Sequence, residues 1–139
     1  MPSKFLILSP TNSLSKDGDR YEGNFQQGKF NGIGTIFYSN KSWYKGNFIN
    51  GKKHGQGTET SSSGLTYTGQ FENDKPNGKG VQIKGEYSYD GDFNDGVKEG
   101  HGKEFYKESS YTGNFWKGQK HGKGHWIHSN GKLIYKVLN

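Results

Sequence analysis

One pattern recurs through the chain and leaves little freedom for anything else. It is a tyrosine, a glycine two residues on, a phenylalanine two further, and then two glycines one residue apart. The tyrosines are Tyr21, Tyr44, Tyr67, Tyr89 and Tyr111, with a sixth candidate at Tyr135. The glycines that follow are Gly23, Gly46, Gly69, Gly91 and Gly113, and the phenylalanines Phe25, Phe48, Phe71, Phe93 and Phe115. The glycine pairs are Gly32/Gly34, Gly55/Gly57, Gly78/Gly80, Gly100/Gly102 and Gly122/Gly124, the first of each 11 residues after its tyrosine. A fixed period of 22 to 23 residues is the signature of a repeat architecture.

Alternate spacing puts tyrosine, glycine and phenylalanine on one face of a strand, because strand side chains alternate with period two. A helix would scatter them. The central glycine leaves a gap that an aromatic ring can cover. A turn segment follows each phenylalanine: residues 26–29, 49–52, 94–97 and 116–119, each with a glycine suited to positive φ. Each repeat therefore reads as a β-hairpin. The third has Asp74 in place of the turn glycine and Pro76 just behind it; aspartate tolerates the left-handed region, so an altered turn is expected there. The paired glycines imply close approach of backbone or ring rather than a phosphate loop, which would need a strand before it and a helix after it.

These residues resemble the MORN (membrane occupation and recognition nexus) repeat. The likeness rests on Tyr44-Lys45-Gly46-Asn47-Phe48, Gly51 and His54-Gly55-Gln56-Gly57, and on Tyr111-Thr112-Gly113-Asn114-Phe115, Gly118 and His121-Gly122-Lys123-Gly124. It covers residues 19–131. Departures are Asp74, and Asn31, Asn77 and Glu99 where histidine is common. The expected fold is all-β: tandem hairpins in one elongated, twisted antiparallel sheet. Five hairpins would span about 50 Å at the strand spacing of a sheet, and sheet twist would curve them into a ribbon with a groove on one face. The resemblance implies that the aromatic side lines that groove.

The five repeats are assigned to residues 19–40, 41–64, 65–84, 85–108 and 109–131. Hydrophobic residues make up only 27% of the chain, which in a non-repetitive sequence would suggest disorder; a single-layer repeat needs only a thin core between neighbours. Residues 1–18 divide into a strand, Lys4 to Leu8, and a polar connection, Ser9 to Gly18. The strand is read as a cap over the open edge of repeat one, with a partner-binding or targeting segment as the alternative. Residues 132–139 begin a sixth unit in which Val137 replaces the glycine. They form either a closing cap or an adhesive edge, with Leu133, Tyr135, Val137 and Leu138 as the contact residues. The family resemblance, in which arrays pair end to end through C-terminal repeats, points to a homodimer.

No enzyme site emerges. Ser61, Ser62 and Ser63 sit in a link without a nucleophile elbow. His121 and His125 share a strand face while His128 points the other way, and His121 repeats the position of His54, so a structural or groove role is preferred to metal binding. Asp90, Asp92 and Asn94 imitate the start of a calcium loop, but Asp95 stands where glycine is required and His101 where the closing glutamate should be. No metal or cofactor is expected. The absence of cysteine excludes disulfides and thiolate chemistry. No apolar run approaches the length of a membrane helix.

Charge says more. The net charge is +6, and the turn edge carries Lys29, Lys52, Lys53, Lys75, Lys98, Lys117 and Lys120. Such a row suits an anionic membrane surface or an acidic protein, although Glu72, Asp74, Asp95 and Glu99 dilute it, and a solvated edge is the plain alternative. With Arg20 the only arginine, nucleic acid is disfavoured. The leading expectation is a non-enzymatic scaffold that takes an extended protein segment in the aromatic groove, through Tyr21, Tyr44, Tyr67, Tyr89, Tyr111, Trp43, Trp116 and Trp126. The alternative is a peripheral protein that binds acidic phospholipids, phosphoinositides among them, through the lysine edge. The resemblance implies a cytoplasmic scaffold at a membrane or the cytoskeleton, and leaves room for regulation of a separate catalytic partner.

Overall fold

A computed structural model describes residues 5–9 and 12–138. Its described residues are all strand, turn and loop. The strands are β1 (Phe5–Ser9), β2 (Asn12–Ser15), β3 (Arg20–Gln26), β4 (Lys29–Phe37), β5 (Trp43–Ile49), β6 (Lys52–Thr60), β7 (Thr66–Glu72), β8 (Lys75–Lys84), β9 (Tyr87–Asn94), β10 (Val97–Phe105), β11 (Ser109–Trp116), β12 (Gln119–His128) and β13 (Leu133–Leu138). They follow chain order in one antiparallel sheet, which is the all-β hairpin array expected. The chain forms two compact units, Met1–Lys75 and Pro76–Asn139.

The hairpin turns are two-residue loops with both central residues in the left-handed region. The pairs are Gln27–Gly28 (φ 53° and 76°), Asn50–Gly51 (51° and 82°), Asp95–Gly96 (49° and 91°) and Lys117–Gly118 (50° and 84°). Such turns match the right-handed twist of the strands they join. Asn73–Asp74 adopts the same pair, at 49° and 73°. Asp74 is held there: its Oδ1 accepts from the Lys53 amide at 2.9 Å, and its own amide donates to the Lys53 carbonyl at 3.1 Å. The altered third turn survives because a side-chain anchor supplements what glycine would give.

The two glycines of each pair do different work. Within unit 1, Gly23 faces Gly34 and Gly46 faces Gly57 in register; within unit 2, Gly91 faces Gly102 and Gly113 faces Gly124. The tyrosine two residues before the first glycine lays its ring across that facing pair. A Cβ on Gly57 would stand 2.5 Å from the Tyr44 ring, and one on Gly102 would stand 2.4 Å from Tyr89. The first glycine of the pair instead sits in a bulge, where three residues of the second strand oppose one of the first. Register jumps from Gly46↔Gly57 to Phe48↔Lys53, and from Gly113↔Gly124 to Phe115↔Lys120. Gly55, at φ 69°, and Gly122, at φ 68°, turn these bulges.

The core of each unit is a relay of rings. In unit 1, Tyr21 meets its own Phe25 at 5.1 Å and Phe48 of the next repeat at 5.4 Å, and Tyr44 meets Phe48 and Phe71 at 5.0 Å each. In unit 2, Tyr89 lies 5.2 Å from Phe93 and 5.0 Å from Phe115. All these contacts are edge-on, the geometry that ring quadrupoles favour. Phe48, Phe71 and Phe115 thus each bridge two tyrosines, and within each unit a repeat is packed by its neighbour. Tyr111 meets Phe115 edge-on at 5.5 Å and, at 5.6 Å, the tilted ring of Trp126, which lies opposite it in register.

The N-terminal segment differs from expectation. Residues 12–15, read as polar connection, form β2, and it is β2 that pairs with β3; β1 lies outside it. The reason is size. Ser13 lies opposite Tyr21 in register and is fully buried, and Ser15 is nearly so. Short hydroxyl side chains fit beside a ring that leaves no room for larger ones. Lys4 and residues 10 and 11 of that segment lie outside the described residues.

Candidate binding surface

The five repeat tyrosines are interior, not surface. Tyr21, Tyr44 and Tyr89 are 0% exposed and Tyr67 and Tyr111 2%. Each hydroxyl donates to the backbone carbonyl three residues on: Asn24, Asn47, Gln70 and Asp92 at 2.7–2.8 Å, and Asn114 at 3.4 Å. Burial pushes the Tyr21 and Tyr67 phenols up to about 12. The expectation that these five rings touch a partner is therefore corrected: they are buried in the packing of the fold.

The tryptophans also separate. Trp43 precedes Tyr44 by one residue and Trp116 follows Phe115 by one, so both point to the opposite face. Trp43 is half-buried beside Phe37, and Trp116 is exposed with the Lys117 ammonium 5.8 Å above it. Only Trp126 shares the tyrosine face, because it sits opposite Tyr111 in register.

The lysine row divides by the same parity. Lys29, Lys52, Lys75 and Lys117 are exposed. Lys53 and Lys98, half-buried, and Lys120, still exposed, fold over the buried tyrosines. The ammonium of Lys53 lies 5.1 Å from the Tyr44 ring centre, that of Lys98 5.4 Å from Tyr89, and that of Lys120 5.4 Å from Tyr111. Phe30 does the same over Tyr21, stacked at 3.8 Å. A cation over a ring face is attracted by the ring quadrupole. Lys53 is paired with Glu59 at 2.8 Å. Burial alone would lower its pKa, but the Glu59 carboxylate and Tyr38 outweigh that and raise it.

In unit 2 these contacts converge on Glu104, whose side chain is 4% exposed. Its Oε2 accepts from Lys98 Nζ at 2.8 Å and from the Tyr87 hydroxyl; its Oε1 accepts from Lys120 Nζ at 2.8 Å and from the Tyr106 hydroxyl at 3.0 Å. Burial pushes this carboxyl up, but the hydrogen bonds from Lys120, Lys98 and Tyr87 prevail and hold it down at about 2. A buried carboxylate is retained only when so compensated. Every group in the network has a structural partner, so it offers no free acid or base.

Beside this network lie three half-buried rings, Tyr87, Tyr106 and Trp126. Tyr87 and Tyr106 meet at 5.5 Å, and Tyr106 and Trp126 at 5.4 Å. Trp126 is among the groove residues expected from the sequence; Tyr87 and Tyr106 are not, because they fall outside the repeating skeleton. Their signal was available: Tyr87 stands two residues before Tyr89, and so on the same face.

The MORN repeat profile matches residues 21–43, 44–66, 67–87, 89–109 and 111–133. The chain belongs to the MORN-repeat family. The matched MORN units begin two or more residues later than the boundaries set from the sequence, but count the same five hairpins. A comparison with curated proteins finds no match to the chain.

At the C-terminal end, β13 pairs with β12 on one side and is the last strand of the sheet. Leu133, Ile134 and Tyr135 are 55%, 55% and 59% exposed. Tyr135, at the position expected for the tyrosine of a sixth unit, is not buried. The side chains of Val137 and Leu138, and residue 139, lie outside the described residues. Among the described residues no cluster of three or more histidine or acidic side chains could hold a metal ion, and no helix is long and apolar enough to cross a membrane.

Proposed function

We propose that this MORN protein is a non-enzymatic scaffold whose contact surface is the ring row Tyr87–Tyr106–Trp126. The observation that carries this reading is the pairing of partly exposed rings with a buried ion network beneath them. Glu104, Lys98 and Lys120 fix the rings from below, so little rotamer freedom remains to be lost on binding. Rigid aromatic side chains with a hydroxyl or indole N–H at the rim suit an extended protein segment, giving contact area and hydrogen bonds together. The family's general association with protein and membrane binding is consistent with a cytoplasmic partner at a membrane or the cytoskeleton.

Capture from native lysate tests it. The intact chain should retain a partner that a Tyr106→Ser/Trp126→Ser variant loses and a Trp43→Ser/Trp116→Ser variant keeps. Loss only in the second variant would place the contact on the opposite face and contradict the proposal.

One observation favours a second reading, binding to acidic phospholipid. Trp116, exposed at a turn beside Lys117, is the residue pair that anchors proteins at membrane interfaces. Lys29 and Lys52 are exposed at equivalent turn places. Co-sedimentation with anionic vesicles that fades from 50 to 300 mM salt, roughly the range over which screening shortens charge interactions, and that is lost on changing Lys29, Lys52 and Lys117 to glutamate, would support it. Binding indifferent to salt and to these changes would count against it.

A further inference from the structure

The opposite face of unit 2 carries a hollow of about 490 Å³ open to solvent. Six polar side chains from four successive strands surround it: His101 from β10, Thr112 and Asn114 from β11, Lys123 and His125 from β12, and Lys136 from β13. Its floor is the backbone of the facing pair Gly113 and Gly124. Thr112, His125 and Lys136 form one cross-strand row, with Lys103 next to Thr112 at its end. His101 and Asn114 form a second row, and Lys123 reaches it from the bulge opposite Asn114.

The lining contains two ammonium groups, two imidazoles, a hydroxyl and an amide, and no carboxylate. Asp92, on β9 beside β10, is occupied: its Oδ2 accepts from the His101 amide at 3.1 Å, and its other oxygen pairs with Lys79. These hydrogen bonds, led by Lys79, hold its carboxyl below the usual range even as burial acts to raise it. Asp90, on the same face, lies opposite Lys103 in register and outside the lining, so the charged side chains that line the hollow are Lys123 and Lys136. Six donor groups arranged around a cavity suit an anion with several oxygens pointing in different directions; a planar carboxylate would leave most of them unused. The volume exceeds that of a bare tetrahedral anion and lies in the range of small-molecule sites.

We propose that this hollow binds a phosphoryl oxyanion, carried by a small phosphomonoester. Lys123 and Lys136 supply charge, His101 and His125 supply ring N–H donors, and Thr112 and Asn114 orient the oxygens. The site lies on the face away from Tyr87, Tyr106 and Trp126, so it stands or falls independently of the scaffold proposal.

The test is a titration of the full chain at low salt, read by NMR on the histidine ring protons. The probes are inorganic phosphate and glycerol phosphate. His101 and His125 should shift saturably with both, more tightly with the ester. A Lys123→Gln/Lys136→Gln variant should lose roughly tenfold or more in affinity, as charge-assisted contacts of this kind do. Both lysines are exposed, so the variant should keep its melting temperature; Lys16→Gln/Lys45→Gln in unit 1 should bind as the unaltered chain does. Vesicles carrying phosphatidic acid distinguish the source: sedimentation lost in the Lys123/Lys136 variant would assign the phosphomonoester to a lipid headgroup, and sedimentation unaffected by it, with the soluble probes still binding, to a soluble ester. Absence of saturable shifts with either soluble probe, together with vesicle sedimentation that is absent or that ignores Lys123 and Lys136, overturns the proposal. So do shifts of equal size in the variant.

Discussion

A tyrosine hydroxyl and a missing Cβ set the geometry of each repeat. The Tyr44 hydroxyl donates to the Asn47 carbonyl at 2.7 Å while its ring covers Gly46 and Gly57. Tyr44→Phe keeps the ring and deletes the bond, and should lower stability by about 1 kcal/mol, the usual net worth of one hydrogen bond. Gly102→Ala should cost about 1–3 kcal/mol, because its Cβ must displace the Tyr89 ring. Thermal melts of the two variants test the ordering. Glu104 gives a pH signature. Its carboxyl sits at about 2 in the folded chain, against the ordinary value of 4.5 when unfolded. The unfolded chain therefore takes up the proton first, and stability falls as pH drops from about 4.5 towards 2. The loss should approach about 3 kcal/mol, from the free energy of one pKa unit. Glu104→Gln should flatten that acid limb and destabilise the chain at neutral pH. An acid limb unchanged in the variant would show that other carboxylates govern it.

Among the elements, the hairpins were legible because each signal has a local cause. Period-two spacing fixes a face, and turn glycines fix the loop. Parity also sorts Trp43 and Trp116 from Trp126, and Lys52 from Lys53, whereas residue type alone does not. What stayed hidden depends on partners distant in sequence. Nothing local marks Asn12–Ser15 as a strand; its serines are explained only by the Tyr21 ring that they fit against. Likewise Lys53, Lys98 and Lys120 read as edge charge until Glu59 and Glu104 are seen beneath them. The last strand carries a prediction of its own. β13 exposes Leu133, Ile134 and Tyr135 at an edge of the sheet, and an unpaired strand edge is a template for a second copy. We propose a two-fold dimer through it. Analytical ultracentrifugation at micromolar concentration should show a dimer that Leu133→Asp/Tyr135→Asp converts to monomer. A monomer at every concentration would make β13 a closing cap.

At the scale of the molecule, low hydrophobic content and a stable fold are reconciled by coupling between neighbours. Tyrosine–phenylalanine contacts pass from repeat to repeat within each unit, so no repeat buries its rings alone. The MORN skeleton is consumed by this packing, and the binding surfaces we propose lie outside it: Tyr87, Tyr106 and Trp126 on one face, His101, Lys123 and Lys136 on the other. Hydroxyl-radical footprinting, free and with captured partner, tests that division most directly. In the free chain Tyr106, Trp116 and Trp126 should oxidise readily while Tyr21, Tyr44, Tyr67, Tyr89 and Tyr111 resist; with partner bound, Tyr87, Tyr106 and Trp126 should become protected and Trp116 should not. Ready oxidation of Tyr44 or Tyr89 in the free chain, or protection confined to Trp43 and Trp116 in the complex, would contradict it.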